Sequence, residues 1–255
     1  MSFARGLRHF AYALGAWVLL ASCHGQRKAG ASKGLPPLAA SSWLVPIELR
    51  GFGPALTSVP LGASVPSPVL IAIHGDHDRP EWACGSYRSA IQRRAFILCP
   101  RGVARPDHDF TLGTSASTAD ELRAALPALK ARFGAHVAAG SVVLAGLGPS
   151  VEHVIELALK EPSFFSHLLL VDGSTRRLTL AAATRFGAAG GRRVLALCSP
   201  GACDADVDAR LRALGPAGVA ARVVRAQQGQ GLDAEMVKTL RGEFAWLVSG
   251  EPRWR

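Results

Sequence analysis

The sequence predicts an α/β fold, with one domain built on a doubly wound, mostly parallel sheet of eight strands. Short continuous runs of Val, Ile and Leu alternate with helical patterns along residues 42–252, and such alternation is typical of βαβ units. The uninterrupted apolar runs indicate strands that are covered on both faces. No Pro- or Gly-rich linker divides this region, and 49% of the residues are hydrophobic, enough for one substantial core.

Each predicted strand is a short apolar run bounded by turn residues. The first two, residues 43–51 and 54–62, are expected to form an opening antiparallel pair. The others are predicted as the remaining strands of the sheet. They are 68–75, 95–102, 141–148, 167–173, 193–198 and 221–226.

Helices are predicted between the strands at residues 117–134, 150–162, 204–215 and 232–248. In the first of these, Ser117 or Thr118 is expected to cap the N-terminus, and Gly134 is expected to end the helix. Pro127 lies inside this helix and predicts a kink or a break, because proline has no N–H to donate.

Residues 1–22 have the pattern of a secretory signal peptide. Arg5 and Arg8 give a positively charged start, and a short apolar run then leads to a small-residue cleavage site. The stretch LASC, which ends at Cys23, resembles the bacterial lipobox. Cys23 is therefore predicted to be the lipidated first residue of the mature protein. The alternative is ordinary secretion, with Cys23 merely close to the cleavage site.

Residues 23–41 are polar, basic and rich in Gly, Ala, Ser and Pro. They are predicted to be a flexible tether between the lipid and the domain at 42–252. The lipid anchor would make the membrane a partner of this protein. The predicted location is accordingly the bacterial cell envelope, at the outer membrane or the periplasmic face.

Four further cysteines follow Cys23, and an even number in an exported protein favours disulfides. The local pairing is predicted, because each pair would join a strand end to a neighbouring loop or helix. The pairs are Cys84 with Cys99 and Cys198 with Cys203. Metal binding by these residues is disfavoured, because no CxxC or His-spaced ligand set accompanies them.

The formal net charge of +10 raises the question of a nucleic-acid partner. The basic residues are mostly isolated arginines and short pairs, with no basic stripe and no interleaved aromatic residues. A solvated, arginine-rich surface is therefore predicted rather than nucleic-acid binding. No GxGxxG or GxxxxGK[ST] motif occurs, so no cofactor is predicted.

Three motifs lie where one large enzyme superfamily has its active site. "IAIHGDHD" follows the third predicted strand, "VLAGLGPS" the fifth, and "VVRAQQGQGLDAEM" the last. Together they resemble the α/β-hydrolases, in particular small esterases and dienelactone hydrolases, across nearly the whole mature chain. The resemblance assigns His74, Gly75 and Asp76 to the oxyanion-hole region. It also implies ester or amide hydrolysis by a Ser–Asp/Glu–His triad.

The nucleophile position of that pattern holds no nucleophile. In the elbow G-x-S-x-G, a serine stands between two glycines. Here Gly146 matches the first glycine, Gly148 takes the place of the serine, and Ser150 takes the place of the last glycine. A shifted register would require a glycine where Glu152 stands, so Ser150 is predicted to be an early helix residue. The next residue, Pro149, removes an N–H that this family uses in its oxyanion hole.

The base is also missing. Gly229 matches the family's glycine after the last strand, and Gln230 matches its histidine. A glutamine side chain has no basic nitrogen and cannot accept the proton of a hydroxyl. The acid position matches Asp204 or Asp206, with Asp172 as an alternative. Helix capping for the first two, and a strand-end turn for Asp172, are the competing structural interpretations.

The sequence therefore predicts a non-catalytic binding or envelope protein, with a crevice at the carboxyl ends of the strands that would take a small-molecule ligand. No protein partner is identified. The alternative is an active serine esterase or peptidase-like hydrolase that uses Ser150 or Ser174 with His74 or His77. A structural envelope protein without a ligand is a third hypothesis. The segment HGDHD lacks recognised ligand spacing, and no metal site is predicted.

Overall fold

The computed structural model describes residues 34–254, with the exception of Ser141 and Ser163. The predicted signal peptide, the predicted lipidation residue Cys23 and the first part of the predicted tether lie outside the described residues. The described residues belong to one unit.

All eight predicted apolar runs form strands, and a short hairpin adds two more. The strands are β1 (Leu44–Ile47), β2 (Ala55–Ser58), β3 (Val69–Ile73), β4 (Phe96–Cys99), β5 (Val103–Ala104), β6 (Phe110–Thr111), β7 (Val143–Leu147), β8 (His167–Val171), β9 (Arg193–Cys198) and β10 (Ala220–Arg225).

Eight strands form one sheet in the order β1-β2-β4-β3-β7-β8-β9-β10. The β1–β2 and β2–β4 pairs are antiparallel, and the other neighbouring pairs are parallel. The predicted eight-stranded, mostly parallel sheet and its antiparallel opening pair are thus confirmed. Strands β5 and β6 pair separately as an antiparallel hairpin, which the sequence analysis did not predict.

The described residues include six α-helices, of which four were predicted. The two unpredicted helices, α1 and α4, bury alanines such as Ala83, Ala90, Ala182 and Ala183. The helices are α1 (Pro80–Ile91), α2 (Ser115–Phe133), α3 (Ser150–Lys160), α4 (Leu180–Ala188), α5 (Val207–Arg212) and α6 (Ala234–Leu247).

Helix α2 differs from its prediction in two ways. Thr114 is its N-cap, because the Thr114 hydroxyl accepts from the N–H of Ser117 at 3.1 Å. The predicted break at Pro127 is wrong: the helix continues through it. Pro127 is exposed, so its ring lies on the solvent side, while Leu122 and Leu129 on the buried side hold the helix against the sheet.

Helices cover both faces of the sheet. One apolar cluster includes residues of α2, α3, α4 and α5, and a second includes residues of α1 and α6. Successive residues of β3 alternate between the clusters: Val69, Ile71 and Ile73 join the first, whereas Leu70 and Ala72 join the second. This alternation follows from the two-residue period of a strand. It explains why the sequence of β3 is apolar throughout.

Part of the predicted tether belongs to this folded unit. Leu38 is buried, and its N–H donates to the carbonyl of Ala63 at 2.9 Å. His136 Nε2 donates to the carbonyl of Pro36 at 2.9 Å. The unit therefore includes residues 34–41, ahead of the boundary predicted at residue 42. At its other end it extends beyond residue 252 to Trp254, which is also buried.

Both predicted disulfides are present. Cys84 of α1 pairs with Cys99 of β4, with Cα atoms 6.0 Å apart. Cys198 of β9 pairs with Cys203 in the following loop, with Cα atoms 5.6 Å apart. Disulfides of this kind indicate a non-cytoplasmic location. Within residues 34–254, no helix has the length and apolar character needed to cross a bilayer.

His167, the first residue of β8, makes folding sensitive to acid. It is 2% exposed, and burial, the largest cause, lowers its pKa to about 4 from an ordinary value of 6.5. The unfolded state therefore binds the proton first, and stability is lost as the pH falls from the unfolded pKa towards the folded one.

When the pH is lowered from 7 to 5, we expect the free energy of unfolding of the wild type to fall by about 2 kcal/mol more than that of His167→Gln. Urea unfolding of both proteins at the two pH values measures this shift. An identical pH dependence of the two proteins would show that His167 does not titrate in this way.

Candidate functional site

A sharp turn joins the end of β7 to the start of α3. Only Gly148 and Pro149 lie between Leu147 and Ser150. Gly148 has a φ of +59°, in the left-handed region that favours glycine, and its N–H donates to the carbonyl of Val171 at 2.8 Å. A Cβ at Gly148 would meet no atom within 4 Å. The turn has the strand–turn–helix shape of the predicted elbow, and the space above its apex is open.

Two other glycines permit tight packing around this turn. A Cβ on Gly146 would lie 2.7 Å from Val154 Cγ2. A Cβ on Gly173, in the loop after β8, would lie 2.4 Å from both the Gly148 carbonyl oxygen and Val151 Cγ2. Such contacts are too short for any side chain. The close approach that an elbow requires is therefore retained, although the residue at the apex is glycine.

Ser150 is the first residue of α3, as predicted, and it is fully buried. Its hydroxyl oxygen accepts from the N–H of Leu147 at 2.7 Å. The hydroxyl also lies within donating distance of the carbonyls of Leu147, at 2.9 Å, and Ile73, at 3.1 Å. A hydroxyl engaged in this way, out of contact with solvent, is a structural link between β7, β3 and α3. It is not placed to attack a substrate.

His74 follows the last residue of β3 and is 1% exposed. Its Nδ1 lies 2.6 Å from the carbonyl oxygen of Gly75, and its Nε2 lies 2.9 Å from that of Arg101. Both ring nitrogens thus face backbone carbonyls rather than the open edge of the sheet. The N–H of Gly75 donates to Asp78 Oδ2 at 3.3 Å. The hydrogen bonds of His74 and Gly75 are therefore made within this turn and with the loop that contains Arg101.

The β5–β6 hairpin holds the same turn from outside. The Thr111 hydroxyl donates to Asp76, and this hydrogen bond is the main cause that lowers the pKa of the Asp76 carboxyl. Asp78 and Phe110 exchange backbone hydrogen bonds of 3.0 and 3.3 Å. Asp76 is thereby used to fix the loop after β3 against the hairpin.

The loop between β10 and α6 brings Gln230 to this edge of the sheet. Asp172, at the end of β8, accepts from the N–H of Gly231 at 2.7 Å. It also accepts from the N–H and the hydroxyl of Ser199, both at 2.6 Å. A Cβ on Gly231 would lie 3.9 Å from Leu147 Cδ1 at the end of β7. The elbow, the end of β8 and the Gln230 loop therefore converge, as the resemblance implies.

Asp204 and Asp206 have other partners. Asp204 accepts from the N–H of Thr175 at 2.6 Å and from Arg210 at 2.8 Å. Asp206 is exposed and lies 3.4 Å from Arg210. Helix α5 begins directly after Asp206 without a side-chain cap, so the predicted capping role is wrong for its side chain. Of the three predicted acid candidates, Asp172 is the one whose carboxylate is bonded to the Gln230 loop.

Solved structures of known proteins share the fold of this chain. TT1662 from Thermus thermophilus aligns over 80% of this chain and 97% of its own, with 22% identity and a TM-score of 0.55. Est1E from Butyrivibrio proteoclasticus aligns over 81% and 99%, with 11% identity and a TM-score of 0.58. Esterase PE8 aligns over 77% and 98%, with 14% identity and a TM-score of 0.55. The chain has the α/β-hydrolase fold. No protein-family model matches it, and no curated protein matches its sequence.

In this α/β-hydrolase fold, a cleft of about 360 Å³ lies beside the elbow at the carboxyl edge of the sheet. The sequence analysis predicted such a crevice but did not single out His153, which borders it from the first turn of α3. The sequence did contain a signal for His153. It comes three residues after Ser150, and that spacing keeps it in the first turn of the helix. The cleft is lined by Ser115, Pro149, Glu152, His153, Glu156, Ser174, Arg176 and Arg177.

Ion pairs organise the floor of this cleft. Glu152 lies 2.6 Å from Arg176 and 3.4 Å from Arg177, and Glu156 lies 2.9 Å from Arg177. Burial by itself would raise the pKa of the Glu152 carboxyl, but hydrogen bonds from Arg176 and Ser174 lower it below its usual value. The Ser174 hydroxyl oxygen also accepts from the N–H of Arg176 at 3.4 Å.

His77 is part of a separate charged group. Its ligand atom and those of Asp107 and Asp109 all lie within 4.8 Å of one another. Arg105 already occupies this group, with Nε 3.2 Å from Asp109 and 3.6 Å from Asp107. The cluster therefore has the character of an ion-pair network on the surface of the β5–β6 hairpin.

Proposed function

We propose that this protein is a non-catalytic α/β-hydrolase-fold protein, exported and lipid-anchored, that acts in binding at the cell envelope. The observation that carries the proposal is Gly148, which occupies the apex of the elbow with a φ of +59° and open space above it. The geometry that presents a nucleophile is retained, but no side chain stands there. Triad residues act as a unit, so loss of the nucleophile alone removes most of the rate.

Two further features support this proposal. Gln230 provides no base where the fold has its histidine. Of the two N–H donors of an oxyanion hole, the one after the apex is absent in Pro149, while the N–H of Gly75 donates to Asp78. Three catalytic roles are affected: the nucleophile at Gly148, the base at Gln230, and the oxyanion-hole donors at Pro149 and Gly75.

The cleft of about 360 Å³ beside the elbow supports a binding role. Its size falls within the range of small-molecule sites, about 300–1,000 Å³. Its walls are polar, with the paired side chains of Glu152, Glu156, Arg176 and Arg177 and the hydroxyls of Ser115 and Ser174. A small polar ligand matches this lining better than an acyl chain does.

A direct test of the catalytic part is turnover of short acyl esters such as p-nitrophenyl acetate and butyrate. We expect the purified protein to match the buffer rate, while esterase PE8, run in parallel as the positive control, should exceed it. The second candidate function is an active hydrolase that uses Ser174, favoured only because Ser174 and His153 border one cleft. Turnover that disappears in both Ser174→Ala and His153→Ala would establish that candidate and refute the proposal.

The predicted lipid anchor has its own test. We expect the N-terminal peptide of the membrane-derived protein to begin at Cys23 and to carry acyl groups, because two or more chains give stable anchoring. In Cys23→Ala this acylated peptide should be absent, whereas Ser32→Ala, outside the lipobox, should retain it. Mass spectrometry of the three proteins measures this. An unmodified Cys23 in the wild type would exclude the anchor and leave the catalytic proposal untouched.

A further inference from the structure

An apolar cavity of about 470 Å³ lies at the amino edge of the sheet, opposite the elbow. It is enclosed by the middle of α2, the start of β3, the segment that precedes β7 and the end of α3. The inner wall is apolar and buried. It consists of Val69, Ala119, Leu122, Val142, Leu157 and Phe165, each less than 9% exposed.

The mouth of this cavity is formed by exposed residues. Arg123, Lys130 and Glu161 provide its charges. Arg123 Nη2 lies 3.5 Å from Glu161, and Arg123 Nη1 lies 2.5 Å from Asp120, so the charges of Arg123 and Glu161 are paired. Within the described part of the chain, no carboxylate lies within ion-pairing distance of the Lys130 amine. The site thus combines a buried apolar wall with a cation at its open mouth.

The described chain begins beside this mouth. The carbonyl of Pro36 accepts from His136 Nε2 at 2.9 Å, and the residues that follow His136, 137–140, form part of the cavity lining. Cys23 precedes Gly34 by 11 residues, which span at most about 40 Å. If the proposed anchor holds, Gly34 therefore lies within about 40 Å of a membrane surface, and the segment that follows Gly34 lies beside the cavity mouth. A hydrocarbon ligand from the bilayer would have a short path to it.

We propose that this cavity binds a single-chain fatty acid, with its hydrocarbon chain against the apolar wall and its carboxylate at the mouth beside Lys130. Apolar cavities take up apolar ligands in preference to water. A site of this size with one placed charge has the composition expected for a small amphiphile. The position near a membrane rests on the proposed anchor, but the binding itself does not, because the site is complete within the described residues.

The test uses the chain from residue 24 onward, which retains every described residue and both disulfides. The probe is cis-parinaric acid, whose fluorescence rises when its chain enters an apolar site. We expect a saturable rise at one probe per protein, displaced by palmitic acid. No saturable rise would overturn the proposal, and it would do so whether or not Cys23 proves to be lipidated.

Variants locate the site. Leu126→Glu places a carboxylate on the half-buried edge of the cavity, and it should weaken binding by about tenfold or more because a charge in apolar surroundings is costly. Ala131→Glu is the matched control, on an exposed position of the same helix outside the lining, and should leave binding unchanged. If thermal unfolding shows that Leu126→Glu is not folded, Val137→Glu on the neighbouring loop replaces it. Equal binding by the cavity variant and the control would overturn the assignment.

Lys130→Gln tests the placement of the head group. It should weaken binding of palmitic acid about two- to fivefold, as expected for an exposed ion pair, and leave displacement by methyl palmitate unchanged. An equal loss of binding for both compounds, or no loss of binding for either compound, would overturn the pairing of the carboxylate with Lys130.

Discussion

Replacing Gly173 with alanine is expected to lower the free energy of unfolding by about 3 kcal/mol or more, because overpacking against backbone cannot be relieved by a rotamer change. The new Cβ would lie 2.4 Å from the carbonyl oxygen of Gly148 and 2.4 Å from Val151 Cγ2. Both contacts belong to the elbow. Either α3 or the loop after β8 would have to move. Denaturant unfolding measures the loss.

Two other glycines serve as references. Gly148→Ala meets no atom, but its φ of +59° should cost about 1–2 kcal/mol. Gly242→Ala, in the open interior of α6, should raise stability by about 0.5–1 kcal/mol. If Gly173→Ala behaved like Gly242→Ala, the tight packing of the turn would not exist.

Restoring catalytic groups is expected to give back a reactive site in two steps. Gly148→Ser with Gln230→His supplies a nucleophile and a base, and we expect Asp172, which accepts from the N–H of Gly231 at 2.7 Å, to orient that base. The open space above Gly148 gives the new hydroxyl room. Turnover by this double variant should stay low, however, because Pro149 offers no N–H to a developing oxyanion.

Adding Pro149→Ala to the double variant should raise kcat for short acyl esters by about 10²–10³, the usual value of one oxyanion-hole donor. Steady-state kinetics of the double and triple variants measure this ratio. The control is the same triple variant with alanine in place of serine at residue 148, which should remain silent. A double variant as fast as the triple would show that Pro149 is not a catalytic obstacle.

The sheet could be predicted because its strands are buried on both faces. Strand β3 sends Ile71 into one apolar cluster and Leu70 into the other, so its sequence is apolar without interruption. The local disulfides were likewise accessible, since Cys99 and Cys198 stand at strand ends next to their partners. In each case a short stretch of sequence contains the signal.

Elements that depend on distant contacts were not accessible in this way. Leu38 lies in a stretch with the composition of a tether, but hydrogen bonds with residues 62 and 63 and packing in the first apolar cluster hold it in the fold. The hydrogen bonds that Asp172 accepts from Ser199 and Gly231 join the ends of β8 and β9 to the loop after β10, which no local pattern reports. The identity of the residues at the elbow, by contrast, was fully visible, because Gly148 and Pro149 follow a strand that sequence alone identifies.

Covalent labelling by a fluorophosphonate tests the central claim most directly, because it reports an activated serine without any assumption about the substrate. The purified mature protein, incubated with excess probe and digested for mass spectrometry, is predicted to carry no serine adduct, with esterase PE8 treated in the same way as the positive control. A stoichiometric adduct on one serine, with Ser174 beside the cleft as the first to inspect, would contradict the loss of catalysis.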